Sequence, residues 1–150
     1  MIERMQIDAK PEPGLEDFVA TIETRVDSHY PDGVISMGVI AELFGMAGGK
    51  LSYMFDGDAG LARAYETLEF LAPAYQGDYV RVTASMLSVG RTSRRRLYEA
   101  HVVARAHGIG DSPSHGEILA APILIARAVG TVVVPKELQR LTPVAFRKGR

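Results

Sequence analysis

The sequence predicts an α+β domain in which an antiparallel sheet curls around one long α-helix. Two observations carry that reading. The run VISMGVIAELFGMAGGKLSYMF, Val34 to Phe55, places apolar residues on all faces of a helix rather than along one stripe, so such a helix has to be wrapped by other structure. Four long strand-like segments then follow in succession, so helical and extended segments are segregated along the chain.

Residues 1–16, which include KPEPG, read as an arm leading to the first strand. Phe18 to Val26 alternates partly and is rich in β-branched residues, which predicts a strand ending in a turn at Tyr30-Pro31-Asp32-Gly33. The helix is expected over Val34–Phe55, stopped by Asp56-Gly57-Asp58-Ala59-Gly60. Gly45, Gly48 and Gly49 each weaken it by about 1 kcal/mol, which makes sense where a neighbouring backbone approaches closely. Strands are expected at Leu61–Ala72, Asp78–Val89, Arg94–Ala106 and Pro122–Val134, ended by Pro73, Gly90, His107-Gly108 and Pro135. HGIGDSPSHGEILAA, between the last two, reads as a long loop. The continuous runs Ile123-Leu124-Ile125-Ala126 and Val132-Val133-Val134 put the last strand in a central position, and the basic tail over residues 137–150 is expected to pack loosely. No repeat or linker divides the 150 residues, so one domain is expected over 1–150.

Composition excludes several function classes. A net charge of -1 supplies no general field for nucleic acid or an anionic membrane. With 0 cysteines there is no disulfide framework, thiol nucleophile or thiolate metal site, which suits a reducing cytoplasm. His29, His101, His107 and His115 have no ligand spacing, so no metal is expected. The N-terminus lacks the pattern of a signal peptide, and Glu42, Lys50 and the glycines argue against a membrane-spanning Val34–Phe55. No Walker-type or dinucleotide-binding glycine loop is present.

Candidate chemistry gathers ahead of the helix in Arg25-Val26-Asp27-Ser28-His29-Tyr30-Pro31-Asp32-Gly33. The residues alone leave two readings open: Asp27 and His29 as polar punctuation of a turn, or as a carboxylate and a base at a pocket rim. Tyr30 reads as a packing residue with a wet hydroxyl. Glu66 and Glu69 are expected on opposite faces of their strand, with Leu68, Phe70 and Ala72 sharing the Glu66 face toward the helix, and Tyr65 and Thr67 sharing the Glu69 face. Glu42, inside an apolar helix, is expected to be buried, as the structural partner of an arginine or else as a pocket acid. Gly90-Arg91-Thr92-Ser93-Arg94-Arg95-Arg96 combines a glycine turn, hydroxyls and arginines; it reads as a solvated edge or as a binder of phosphates through Gly90, Thr92, Ser93, Arg94 and Arg96, with Lys136 nearby. Without interleaved aromatics it is not a nucleic-acid stripe.

Several segments, in order and spacing, carry a family resemblance: Asp27-Ser28-His29-Tyr30, Leu43-Phe44-Gly45, Ala64 to Pro73 (AYETLEFLAP), Gly77-Asp78-Tyr79, Val89 to Ser93 (VGRTS), Thr131 to Lys136 (TVVVPK) and Gln139-Arg140. From about Arg25 to Arg140 the chain resembles the hotdog-fold β-aminoacyl-CoA ammonia-lyases, within the wider hotdog thioesterases and dehydratases. Pro73-x-x-x-Gly77-Asp78 is common to that wider group, whereas D-x-H-Y and E-F-x-A-P are narrower. The resemblance implies reversible elimination of ammonia from a short 3-aminoacyl-CoA, with Asp27, His29 and Glu69 in the proton chemistry. Tyr30, Gly33, Val34 and Ser36 would line the helix entrance, where backbone N–H groups face the thioester oxygen. CoA is then part of the substrate, no separate cofactor is needed, and the enzyme is expected to be a cytoplasmic homo-oligomer, at least a dimer, with shared sites. An acyl-CoA thioesterase and a non-catalytic acyl-CoA-binding module are the alternatives. The match breaks at Pro31–Ser36, where related sequences carry a glycine-rich turn and then Asn or Asp at the position of Ser36.

Overall fold

The computed structural model describes residues 9–106 and 114–148. Its elements are β1 (Val19–Arg25), α1 (Met37–Phe55), β2 (Leu61–Phe70), β3 (Tyr79–Val89), β4 (Ser93–Ala106) and β5 (Gly116–Val133), followed by two single-turn 3₁₀ helices at Lys136–Leu138 and Val144–Phe146. The strands form one antiparallel sheet in the order β1-β3-β4-β5-β2. The helix lies on β1, β3 and β4, which is the hotdog arrangement. Among the described residues no helix is long and apolar enough to cross a membrane.

Helix α1 starts three positions later than expected, at Met37 rather than Val34. Ser36 takes the N-cap, its hydroxyl accepting from the Gly38 N–H at 3.2 Å. Val34 and Ile35 instead make isolated bridges to Tyr75 and His29. Ile40, Leu43, Phe44, Leu51 and Phe55 form the buried side of the helix, each contributing roughly 1.5–3 kcal/mol by leaving water. Phe44 lies against Tyr98 with centroids 5.5 Å apart, and Phe55 meets Phe18 edge-on at 4.9 Å.

The helix is not wrapped on every side. Because it spans three of the five strands, one flank is bare, and Glu42, Gly45, Met46 and Tyr53 on it are exposed. The expectation of a buried Glu42 is therefore corrected. The glycines divide likewise. A Cβ on Gly48 would stand 2.9 Å from the Tyr98 hydroxyl, so Gly48 lets the helix settle on the sheet, whereas Gly45 and Gly49 face open space.

Strand ends follow the Pro and Gly signals closely except in β5. That strand begins at Gly116, well before Pro122, so residues 116–121 of the expected loop are strand; residues 107–113 lie outside the described residues. The register explains how Pro122 is tolerated: Ala104 pairs with Ile118 and Val102 with Ile123, so Pro122 lies where the ladder skips. β5 is an inner strand, held by β4 on one side and β2 on the other. A register shift between Tyr65 and Thr67 breaks the simple alternation expected of β2. Tyr65 consequently reaches the helix side, 5.9 Å from the Tyr98 ring, while Glu66 turns outward to Arg95.

The tail is docked, contrary to the expected loose packing. Arg94 and Asp56, both fully buried, form a bidentate pair at 2.8 Å through each arm, and the Thr142 hydroxyl donates to Asp56 Oδ1 at 2.5 Å. Leu141 N–H donates to the Asp56 carbonyl, and Phe146 packs on Phe55. These contacts tie the start of β4, the end of α1 and the C-terminal segment to one point.

Substituting Asp56→Asn keeps the shape but leaves the Arg94 charge uncompensated, and is expected to cost about 3–5 kcal/mol in urea unfolding. Replacing both partners with apolar residues (Asp56→Leu with Arg94→Met) should recover much of that loss. Ser36→Ala removes the helix cap and should cost about 1 kcal/mol, a fall of about 2–4 °C in Tm by calorimetry.

Candidate functional site

The stretch between β1 and α1 is shaped by its own residues. Val26 is buried and donates its N–H to the Asp78 carbonyl, which ends β1. Tyr30-Pro31-Asp32-Gly33 is a tight turn closed by the Gly33 N–H on the Tyr30 carbonyl at 2.9 Å. Gly33 has φ +84, and Asp32 Oδ1 accepts from the Val34 N–H at 3.0 Å. The turn places Tyr30 over the start of the helix, where its hydroxyl accepts from the Met37 N–H at 3.4 Å. Among the described residues the first two N–H groups of α1 thus meet Tyr30 Oη and Ser36 Oγ, at 3.4 and 3.2 Å, the long end of hydrogen bonding.

Beside this helix N-terminus lies a cavity of about 360 Å³ with an almost wholly apolar wall. Tyr30, Val34 and Met37 line it from the turn and helix, Phe70 and Pro73 from the end of β2 and the segment after it, and Ile125 from β5. The structure brings Tyr30 and Val34 to the cavity, and Gly33 and Ser36 adjoin it in the turn and cap.

Asp27 and His29 are not among the residues that line the cavity; β1 ends at Arg25, so the two do not share a continuing strand face, and an isolated bridge to Ile35 sets His29 beside a lining residue. Asp27 is half-exposed and accepts from Arg25 Nε at 3.1 Å. His29 Nδ1 lies 2.6 Å from the Tyr30 carbonyl oxygen. A carbonyl only accepts, so Nδ1 is the donating nitrogen of this contact, and in a neutral ring Nε2 is then the acceptor.

Glu69 is not brought to the cavity. Its neighbour Phe70 lines it, while Glu69 pairs in register with Arg127, opposite Glu99, on the other face of the sheet. Its Oε1 is buried without a hydrogen-bond partner. In E-F-x-A-P it is therefore Phe70, Ala72 and Pro73 that reach the cavity. The sequence reading overlooked Phe70 as a lining residue, although the motif that held it was in view.

The arginine run is divided by strand alternation. Arg94 and Arg96 are 0% exposed, Arg94 on Asp56 and Arg96 donating to the Gly48 carbonyl at 2.8 Å and Ser52 Oγ at 2.6 Å. The reading of Arg94 and Arg96 as phosphate binders is corrected: both serve the interior. Arg95 holds Glu66 through Nε at 2.6 Å and Nη2 at 2.9 Å, which keeps that carboxyl below its usual pKa range. At the β3–β4 turn, Gly90 donates to the Ser93 carbonyl and Thr92 accepts from Val134. Thr92, Lys136 and Arg91, the last not singled out before, border a second cavity of about 440 Å³ together with Glu137. The two cavities sit toward opposite ends of the 19-residue helix, about 28 Å long at 1.5 Å per residue.

Comparison with known proteins bears on the family and the fold. Residues 32–103 match the family described as the thioesterase superfamily. Over 115 residues, 76% of this chain and 90% of the relative, the sequence is 42% identical to the 3-aminobutyryl-CoA ammonia lyase of Acetoanaerobium sticklandii. Among solved structures, the β-alanyl-CoA:ammonia lyase from Clostridium propionicum superposes with a TM-score of 0.76 at 25% identity, covering 87% of this chain and 94% of that one. A hexameric thioesterase from Yersinia pestis shares the fold, with a TM-score of 0.62, 17% identity and coverage of 81% and 90%. With the helix, the D-x-H-Y turn and the E-F-x-A-P strand end all in place, the chain belongs to the family of the 3-aminobutyryl-CoA ammonia lyase, on a hotdog fold.

Proposed function

We propose that this protein is a carbon–nitrogen lyase that reversibly removes ammonia from a short 3-aminoacyl-CoA to give the enoyl-CoA. The observation that carries the reading is the 42% identity to a lyase of that name, borne on a chain whose D-x-H-Y turn stands at the rim of an apolar cavity beside a helix N-terminus. The apolar lining of the cavity suits the hydrocarbon end of a short acyl chain.

In this mechanism the thioester oxygen lies against the Met37 and Gly38 N–H groups, displacing the long contacts to Tyr30 and Ser36. His29 Nε2 takes the α-proton, and the electron pair of that C–H bond moves into the enolate held by the two N–H groups. Collapse of the enolate forms the Cα–Cβ double bond and breaks the Cβ–N bond. The amine, already an ammonium, leaves as neutral ammonia with the bonding pair, and the α-proton passes from His29 to solvent. Asp27 holds the substrate ammonium before it leaves. No acid is needed for the leaving group, no cofactor besides the CoA of the substrate takes part, and the enzyme acts in the cytoplasm. Glu69 has no step in this scheme.

The site is completed by a second copy. β2 is an edge strand that borders the cavity through Phe70, and pairing of two β2 edges about a two-fold axis runs the strands antiparallel. The helix N-terminus of one chain then faces the opposite end of its partner. The Arg91–Thr92–Lys136 cavity of one chain can in this way hold the nucleotide phosphates of a CoA whose thioester sits in the other, with Gly90 and Ser93 shaping the turn.

Incubation with crotonyl-CoA should bleach the enoyl chromophore only when ammonium is added; release of free thiol without ammonium would assign the protein to thioester hydrolysis instead, and saturable binding with neither to a non-catalytic module. Asp27→Asn and His29→Ala should each lower kcat/KM by about 10²-fold or more, with the far-ultraviolet spectrum unchanged. Arg91→Ala should raise KM for the CoA ester about tenfold and leave the KM of the matching pantetheine ester unaltered, since only the former carries the nucleotide phosphates.

A further inference from the structure

The wall of the cavity beside the helix N-terminus is built for hydrocarbon, with one exception. Ile35, Ile40, Ala74 and Ile125 are buried and form its floor, while Tyr30, Met37 and Phe70 are exposed at its mouth. Of the side chains that line it, Tyr30 alone carries an oxygen or nitrogen atom. Phe70 fills a place at the same mouth with a plain ring, so packing does not account for the hydroxyl.

The Tyr30 backbone is fixed on both sides. Its N–H donates to the Val34 carbonyl at 2.8 Å, and its carbonyl accepts from the Gly33 N–H at 2.9 Å and lies 2.6 Å from His29 Nδ1. The ring therefore leaves an anchored turn, and its hydroxyl reaches the Met37 N–H at 3.4 Å as an acceptor. A phenol also has one proton to give, and among the described residues no acceptor meets that of Tyr30. An oxygen seated about 2.9 Å from the Met37 nitrogen can lie about 2.7 Å from a hydroxyl that stands 3.4 Å from the same nitrogen. The contact made in the free protein thus marks the spot where the phenol proton would be received.

We propose that Tyr30 is a catalytic residue, its hydroxyl donating to the thioester oxygen beside the Met37 and Gly38 N–H groups and stabilising the enolate. This rests on the lyase reading proposed above. The hydroxyl keeps its proton throughout. As the α-proton passes to His29 Nε2, the C–H electron pair moves toward the thioester oxygen, and the phenol hydrogen bond strengthens against the growing charge. When the pair returns to form the Cα–Cβ double bond and the Cβ–N bond breaks, that hydrogen bond relaxes. One residue then serves both ends of the step: the Tyr30 carbonyl holds the His29 ring, and the Tyr30 hydroxyl meets the oxygen.

Tyr30→Phe removes the hydroxyl and leaves the ring, the carbonyl and the turn. It should lower kcat for ammonia addition to crotonyl-CoA by about 10²-fold or more and leave KM close to the wild-type value, since the donor acts on charge that only the transition state carries. Acetoacetyl-CoA supplies a readout without turnover, because its enolate has a near-ultraviolet band that its neutral form lacks. Bound to the wild type it should ionise at lower pH than free in solution. Bound to Tyr30→Phe it should lose most of that shift, with binding of the neutral form at acid pH unchanged. A raised KM with kcat intact, or weakened binding of the neutral form, would reduce Tyr30 to part of the wall and overturn the assignment. A fall in kcat with the enolate shift intact would make the phenol a proton carrier and overturn it as well. Wild-type protein silent toward crotonyl-CoA and ammonium would overturn the lyase reading, while the acetoacetyl-CoA shift still decides whether Tyr30 meets a thioester enolate.

Discussion

One helix laid across three strands of a five-strand sheet sets the character of this molecule. A helix of this diameter cannot cover a sheet five strands wide, since neighbouring strands stand about 4.8 Å apart and a helix with its side chains is about 10–12 Å across. β1, β3 and β4 receive the buried side of α1, and the concave faces of β5 and β2 are left over. The apolar cavity at the helix N-terminus, the exposed Leu68 and Phe70 of β2 and the bare glycine flank of α1 all border that uncovered part. Function is assembled where the core is incomplete.

Much of the fold was legible because it depends on local signals. Pro73, Gly90 and Pro135 end their segments for backbone reasons that act within a few residues, and the strand ends fall within three residues of them. The helix start was misplaced because Val34 and Ile35 are as apolar as the helix itself; only the capping geometry of Ser36 separates them. The start of β5 was missed because polar, exposed residues such as Glu117 can belong to a strand that projects past the core. The tail was misjudged since its docking depends on Asp56, far away in sequence, and basic composition says nothing about such a partner.

The candidate site was legible in its location and less so in its members. D-x-H-Y stands at the helix entrance, where the turn chemistry of Pro31, Asp32 and Gly33 puts it. Whether a strand residue points toward a cavity, however, is decided by parity, and parity is lost at a bulge. The shift between Tyr65 and Thr67 reverses the faces expected of Tyr65 and Glu66, while strict alternation from Glu69 to Phe70 gives the cavity the phenylalanine and not the acid. The arginines obey the same rule: adjacent residues in one basic run divide between an interior ion pair, an exterior one and a turn. Charge counted along a sequence is therefore a poor measure of charge offered to a ligand.

The clasp joining Arg94, Asp56 and Thr142 bears on the order in which the molecule can assemble. Strand β4 and the end of the helix can meet once the middle of the chain has been made, but Phe55 and Asp56 stay open to water until residues 141–146 close over them. During synthesis the core is thus finished from its C-terminal side, by a segment that lies in no strand and contributes no residue to the cavity at the helix N-terminus. A shortened chain that still carries the whole sheet and the whole candidate site would keep the side chains of that site and lose the seal on its interior.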